Sequence, residues 1–305
     1  MRSVTAVLFW LVATLALAVA IPAGWAQRNL IDEGGYAALA KSAGQNQAIQ
    51  DATGSLLSTQ AVAFAADRGF NLPESAVRGA AAGYTSSSSF PGQFADVNRV
   101  AHRWLFTDAV RQDGDRWTVD VAPMLSNLSI IQTLNARGLP MPSSVRVPVT
   151  SDTVQNLRPG ELRPLATWGP WISTGAAALA GVAALLTLAV AKARGKALAA
   201  LGVSALLVGG GGYAAMEVGR RYLDGALNRT TGDVRTIADV MVSHAEAGLH
   251  HWLNLTLAVG GAVVVLGVIV AMLGAWRRGR RSAAAPPGVS PAQVPAPSDR
   301  SAGAP

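Results

Sequence analysis

Acid–base or metal chemistry needs histidines and carboxylates in defined relation, and the chain offers few. His102 has Asn98 one helical turn before it, Asp96 and Asp108 nearby, and the serine run Ser86–Ser89 upstream. On paper these are the parts of a Ser/His/Asp hydrolase, in which imidazole takes the hydroxyl proton and a carboxylate orients the ring. No Gly-x-Ser-x-Gly elbow or other positional signature places a nucleophile, so His102 is expected to be a structural histidine. His244, His250 and His251 lie near Asp239 and Glu246. Ligands sharing one ion on a helix face sit at i, i+4, whereas His244 and His251 are about 10 Å apart along a helix. Solvated or interfacial histidines are expected there. Asp113-Gly114-Asp115 lacks the spacing and terminal Glu of a calcium loop and predicts an ordinary turn. Gly209-Gly210-Gly211-Gly212 lacks the Lys-Ser/Thr of a phosphate loop. The chain has no cysteine, which excludes disulfide scaffolds, thiolate zinc sites and Cys nucleophiles. The expectation is no catalytic residue, no cofactor and no metal.

The elements that must carry these residues are dominated by four runs without Asp, Glu, Lys, Arg or His: Val4–Ile21, Ile172–Ala191, Ala197–Met216 and Leu253–Ala275. About 20 residues at 1.5 Å per residue cross a ~30 Å hydrocarbon core, so the runs predict four membrane spans. The fold class expected is an α-helical integral membrane protein with a small α+β extracytoplasmic domain. Residues 1–26 are either a signal anchor or a cleaved signal peptide, because Arg2, an apolar stretch, Pro22 and Gly24-Trp25-Ala26 also compose a secretory signal. Residues 27–171 form the extracytoplasmic domain, 172–216 a transmembrane hairpin with its turn at 192–196, and 217–252 a second, amphipathic outer segment. The last span is 253–276, and 277–305 is a basic, then Pro/Ala-rich cytoplasmic tail expected to be disordered.

Charge sets the orientation. The formal balance is +7 from 25 Lys+Arg and 18 Asp+Glu, which in a soluble chain would suggest nucleic acid. Residues 27–171 carry 12 of each sign, and 217–252 carry 4 basic against 5 acidic. The remaining 9 basic residues (Arg2, Lys192, Arg194, Lys196, Arg277, Arg278, Arg280, Arg281 and Arg300) are opposed only by Asp299. Lys and Arg beside span ends mark the cytoplasmic side, so the N-terminus, the 192–196 turn and the tail are placed inside. No nucleic-acid partner is implied; anionic lipid at the cytoplasmic face is. Trp25, Trp168, Trp171, Trp252 and Trp276 fall at span ends, as interfacial indoles do.

Within the outer domain, residues near 30–68 have helical character, Asn71-Leu72-Pro73-Glu74 begins a further helix with a side-chain cap, and Tyr84–Gly92 is a loop by composition. Phe94, Val97, Val100, Ala101, Trp104 and Leu105 predict an amphipathic helix to about Val110. Alternation at Trp117, Val119 and Val121, and at Val145, Val147 and Val149, predicts two strands pairing across a helical segment near Asn127–Arg137. In 217–252, Val234, Ile237, Met241, Ala245, Gly248 and Trp252 recur at helical spacing; this face is expected to cover the outer domain rather than lie on lipid, since its polar side is mixed in sign. Gly202, Gly209–Gly212, Ala177, Gly181, Gly260, Gly261, Gly267 and Ala271 predict close helix contacts within the bundle. The span interiors hold no ionisable group, which argues against a proton- or ion-coupled carrier.

His102-Arg103-Trp104-Leu105-Phe106-Thr107-Asp108, Leu162-Arg163-Pro164-Leu165-Ala166-Thr167-Trp168-Gly169-Pro170-Trp171 and Asn228-Arg229-Thr230-Thr231-Gly232-Asp233 resemble segments of multi-pass membrane proteins of actinobacteria, mycobacteria especially. The resemblance covers residues 1–276. It implies a plasma-membrane, envelope setting and a multi-pass topology, and carries over no reaction and no site residue. Together these features lead to the expectation of a non-enzymatic envelope protein whose outer domain binds a protein or lipid component. The alternatives are an accessory subunit of an exporter or lipid transporter and, less readily, an extracytoplasmic hydrolase.

Overall fold

In the computed structural model, residues 2–67, 69–107, 118–120, 146–148, 160–228 and 232–283 are described. Apolar side chains on every face, with no interior charge, produce α1 (Arg2–Ala26), which Pro22 does not terminate. The chain then widens into a single π-helical turn, Gln27–Ile31. The domain helices are α2 (Glu33–Ala43), α3 (Gln47–Ala66), α4 (Glu74–Thr85) and α5 (Phe90–Phe106), followed by β1 (Thr118–Asp120) and β2 (Arg146–Pro148). Three long helices follow: α6 (Arg163–Val190), α7 (Arg194–Leu227) and α8 (Gly232–Ala283).

Four helices, α1, α6, α7 and α8, are long and apolar enough to cross a bilayer. α1 packs along α6 on one side and α7 on the other, and α7 packs along α8. Their contacts use small residues: Ala13 and Ala16 of α1 and Ala180 and Ala183 of α6 are buried. Two hydrogen bonds tie α1 to α7. Trp10 Nε1 donates to the Ala200 carbonyl at 2.9 Å, and Thr14 Oγ1 lies 2.7 Å from Ser204 Oγ. Each hydroxyl is also within reach of a carbonyl on its own helix, Thr14 of Trp10 O at 2.8 Å and Ser204 of Ala200 O at 3.2 Å, so one can donate to the other while that other donates to its backbone.

The α7–α8 seam is built on glycine at intervals of seven. A Cβ on Gly195 would lie 2.4 Å from Ala271 N, on Gly202 2.6 Å from Val264 N, and on Gly209 2.6 Å from Leu257 Cδ2. From α8, a Cβ on Gly267 would lie 2.4 Å from Ala199 N. The backbones therefore meet directly, and the 3.5-residue period matches a left-handed crossing. Gly202, Gly209, Gly212, Gly260 and Gly267 are contact residues as expected, whereas Gly181, Gly210, Gly211 and Gly261 face open space. Gly195 was missed because it stands in the basic link.

At the other end of the bundle the domain core gathers Ala37, Ala40, Ala43, Ile49, Leu57, Ala61, Val77, Ala81, Tyr84, Phe90, Phe94 and Ala95. So many alanines let α2 lie close on α5 and α3 on α4. Asp32 caps α2 by accepting from Gly35 N at 2.8 Å, and Asn46 caps α3 by accepting from Ala48 N at 2.9 Å. Ile237, Val240 and Met241 of α8 pack against the same core, so the apolar face of residues 217–252 does lie against the domain.

Several expectations need correction. The α+β domain is instead a helical one: its only extended pairing among the described residues is a ribbon, β1 antiparallel to β2 with Val119 opposite Val147. Three residues per strand make no sheet layer, and alanine-rich helix faces supply the core. The segment near Asn127–Arg137 lies outside the described residues, as do Asp108, Asp113 and Asp115 and residues 284–305 of the tail. Residues 217–252 are made up of the end of α7 and the start of α8. α7 runs on to Leu227 and α8 begins at Gly232, because nothing in either sequence obliges a helix to stop where its all-round apolar stretch does. α6 likewise begins at Arg163, nine residues before the apolar run. The loop at Tyr84–Gly92 shortens to four serines between α4 and α5, and Pro73 precedes α4 with no side-chain cap.

Candidate functional site

α8 has 52 residues, about 78 Å of helix, against a hydrocarbon core of ~30 Å. α7 and α8 therefore rise together out of the apolar band beside the domain. Where they pass it, a cleft of about 390 Å³ remains open. One wall is Trp25 at the end of α1, Leu30 in the π-helical turn, and Tyr36 and Leu39 on α2. The other is Met216, Gly219 and Leu223 on α7 with Met241, Val242, Ala245 and Leu249 on α8. Two details keep it open. The π-helical turn displaces the chain between α1 and α2, and Gly219 presents no side chain, with nothing within 4 Å of where its Cβ would be.

The cleft has one charged feature. Arg220 donates to Glu246 at 2.7 Å across α7 and α8, and the Glu246 side chain is only 14% exposed. A carboxylate that buried needs its partner, so the pair is both a strut between the helices and the polar rim of an apolar cavity. Below it, Tyr213 donates to Asn254 Oδ1 at 2.6 Å and stacks on His250 at 5.0 Å. Arg28 stands 5.6 Å above the Trp252 ring.

The Tyr36 wall is backed by a buried polar cluster. His102, 5% exposed, lies between Tyr36 and Phe106, with ring centroids at 5.2 and 4.3 Å. Its Nε2 is 3.0 Å from the Leu30 carbonyl; a carbonyl only accepts, so this nitrogen carries the proton. The Tyr36 hydroxyl donates to Asn98 Oδ1 at 3.3 Å, and burial pushes its pKa above the ordinary phenol value. The imidazole thus fastens α5 to the π-helical turn that shapes the cleft.

The remaining sequence candidates are not brought together. Ser86–Ser89 and His102 sit at opposite ends of α5, about 20 Å apart along a helix. Asp96 pairs with Arg99 at 3.0 Å, and Asp239 with Arg235 at 3.4 Å. His244 Nδ1 lies 3.3 Å from the Val240 carbonyl on its own helix, and His251 is exposed. Among the described residues no group of three His, Asp or Glu side chains could hold a metal ion. The cleft and the Arg220–Glu246 pair escaped sequence reasoning. The available signal was Glu246 within an otherwise small and apolar helix face. No protein-family model, no curated protein and no solved structure matches the chain.

Proposed function

We propose that the chain is a non-enzymatic, multi-pass protein of the cell envelope whose helical domain and α7–α8 extension bind another envelope component. The basic ends of the bundle face the cytoplasm and the helical domain faces outward, following the Lys/Arg distribution. The observation that carries the proposal is the cleft: apolar, about 390 Å³, rimmed by a single ion pair, and sited where the bundle leaves its apolar band. Pockets of this size hold a small ligand, a lipid tail or a bulky side chain. A neutral rim suits an amphiphile or an apolar protein segment rather than a polyanion.

A photoreactive side chain at Leu223, in the full-length protein in its own membrane, tests this. The expected result is a covalent adduct with lipid or with one membrane protein, lost when Gly219→Leu fills the cleft without disturbing folding. Absence of any adduct, or an adduct indifferent to Gly219→Leu, refutes it.

A second function is favoured by Gly210 and Gly211, which leave one face of α7 open to close approach by another helix. That arrangement fits an accessory subunit of an exporter or lipid transporter, and a stoichiometric ATPase or carrier co-purifying in mild detergent would establish it. A hydrolase would need His102 to reach a nucleophile, and the separation along α5 opposes this.

A further inference from the structure

At the basic end of the bundle, opposite the cleft, a groove of about 580 Å³ opens where α1, α6 and α7 meet. It follows from the packing order. α1 lies against both α6 and α7, so the short turn joining those two helices passes the start of α1 and leaves space beside it. The floor is apolar: Val7 and Trp10 of α1 and Ala197 and Ala200 of α7. Trp10 is held in place by its bond to the Ala200 carbonyl. The Thr187 hydroxyl on α6 is directed to Ala183 O at 2.7 Å, so the wall offers little hydrogen bonding to a ligand.

Among the described residues, Lys192 and Lys196 are the charged residues that line the groove, and both are exposed. Nothing neutralises them from within the bundle, because residues 1–31, 162–216 and 247–298 contain no Asp or Glu. An apolar trough ending in two uncompensated ammonium groups is complementary to a molecule with an anionic head and a hydrocarbon tail. Free phosphate would leave the trough unfilled, and a zwitterionic lipid would bring no net charge to the lysines.

We infer that this groove binds one anionic phospholipid, with its phosphate at Lys192 and Lys196 and an acyl chain along Trp10. The site is independent of what the cleft holds, and it depends on the orientation proposed above only for the leaflet from which the lipid comes.

The test uses the full-length protein in mild detergent, with native mass spectrometry counting retained lipid. Phosphatidylglycerol is compared with phosphatidylcholine of the same chains and with inorganic phosphate. One phosphatidylglycerol should remain bound, at the expense of phosphatidylcholine. Each lysine contributes about fivefold near an anionic headgroup, so Lys192→Gln with Lys196→Gln should weaken retention about 25-fold. Ala197→Phe should abolish it by filling the trough, while Arg277→Gln, outside the groove, should leave it unchanged. The inference is overturned by equal retention of the two lipids, by full competition from inorganic phosphate, by a double lysine variant that binds as wild type, or by an equal loss in Arg277→Gln. Helicity measured on each variant separates loss of binding from loss of fold.

Discussion

Alanine substitution along the α7–α8 seam gives a quantitative check, because the same change is made where a Cβ has room and where it has none. A Cβ at Gly202 would be 2.6 Å from Val264 N and 2.7 Å from Gly260 O; at Gly267 it would be 2.4 Å from Ala199 N and 2.7 Å from Ala199 Cα. Carbon contacts settle near 3.5–4.0 Å, so each substitution demands a separation of about 1 Å between two backbones, neither of which can rotate away as a side chain can. Overpacking of this kind costs about 1–3 kcal/mol, partly offset by the helix preference of alanine over glycine, at most about 1 kcal/mol. Gly202→Ala and Gly267→Ala should each lose about 1–2 kcal/mol, a factor of roughly 5–30 in the folded-to-unfolded ratio. At Gly210 and Gly261 nothing lies within 4 Å of the added atom, and alanine there should be neutral or up to about 1 kcal/mol stabilising. Reversible unfolding in mixed micelles of increasing dodecyl sulfate, followed by tryptophan emission, measures all four. If Gly202→Ala and Gly210→Ala unfold together, the seam is not a backbone contact and the argument fails.

Three further outcomes follow from the structure. Gly35→Ala places a Cβ 1.6 Å from the Arg28 carbonyl oxygen, so it should disrupt the π-helical turn and lower the melting temperature of the helical domain; an unchanged melting curve would refute that close approach. Burial pushes the Tyr84 phenol up to about 12 from an ordinary 10, and its hydroxyl donates to Gln93 Oε1. Its contribution to stability is therefore complete below pH 10 and lost as pH rises through 12, and Tyr84→Phe should flatten that dependence and remove a late step in phenolate absorbance. Finally, the cysteine-free chain allows single-Cys labelling on intact spheroplasts: Ser88→Cys should react with an impermeant maleimide and Ala193→Cys only after permeabilisation, and the opposite pattern would invert the proposed orientation.

The amino-acid sequence by itself determined the four apolar helices and the excess of basic over acidic residues beside their ends, because both depend on local composition. A run of about 20 apolar residues has no stable alternative in lipid but a helix. It also pointed to glycine as a means of close helix contact, which Gly202, Gly209, Gly212, Gly260 and Gly267 provide and Gly181, Gly210, Gly211 and Gly261 do not. The helix ends were not legible: α7 to Leu227, α8 from Gly232 and α6 from Arg163 extend beyond the apolar runs, where backbone hydrogen bonding continues although hydropathy falls. Val119 and Val147 lie in a real ribbon, yet alternation over a few residues says nothing of whether a sheet layer exists around it. Only the tertiary structure decided which glycines touch a neighbour, that His102 bonds the Leu30 carbonyl 72 positions away, and that Arg220 meets Glu246. The cleft and the groove belong to the same class. Each is bounded by residues from three or more elements, and empty space between helices depends on their relative placement, which no single segment of sequence encodes.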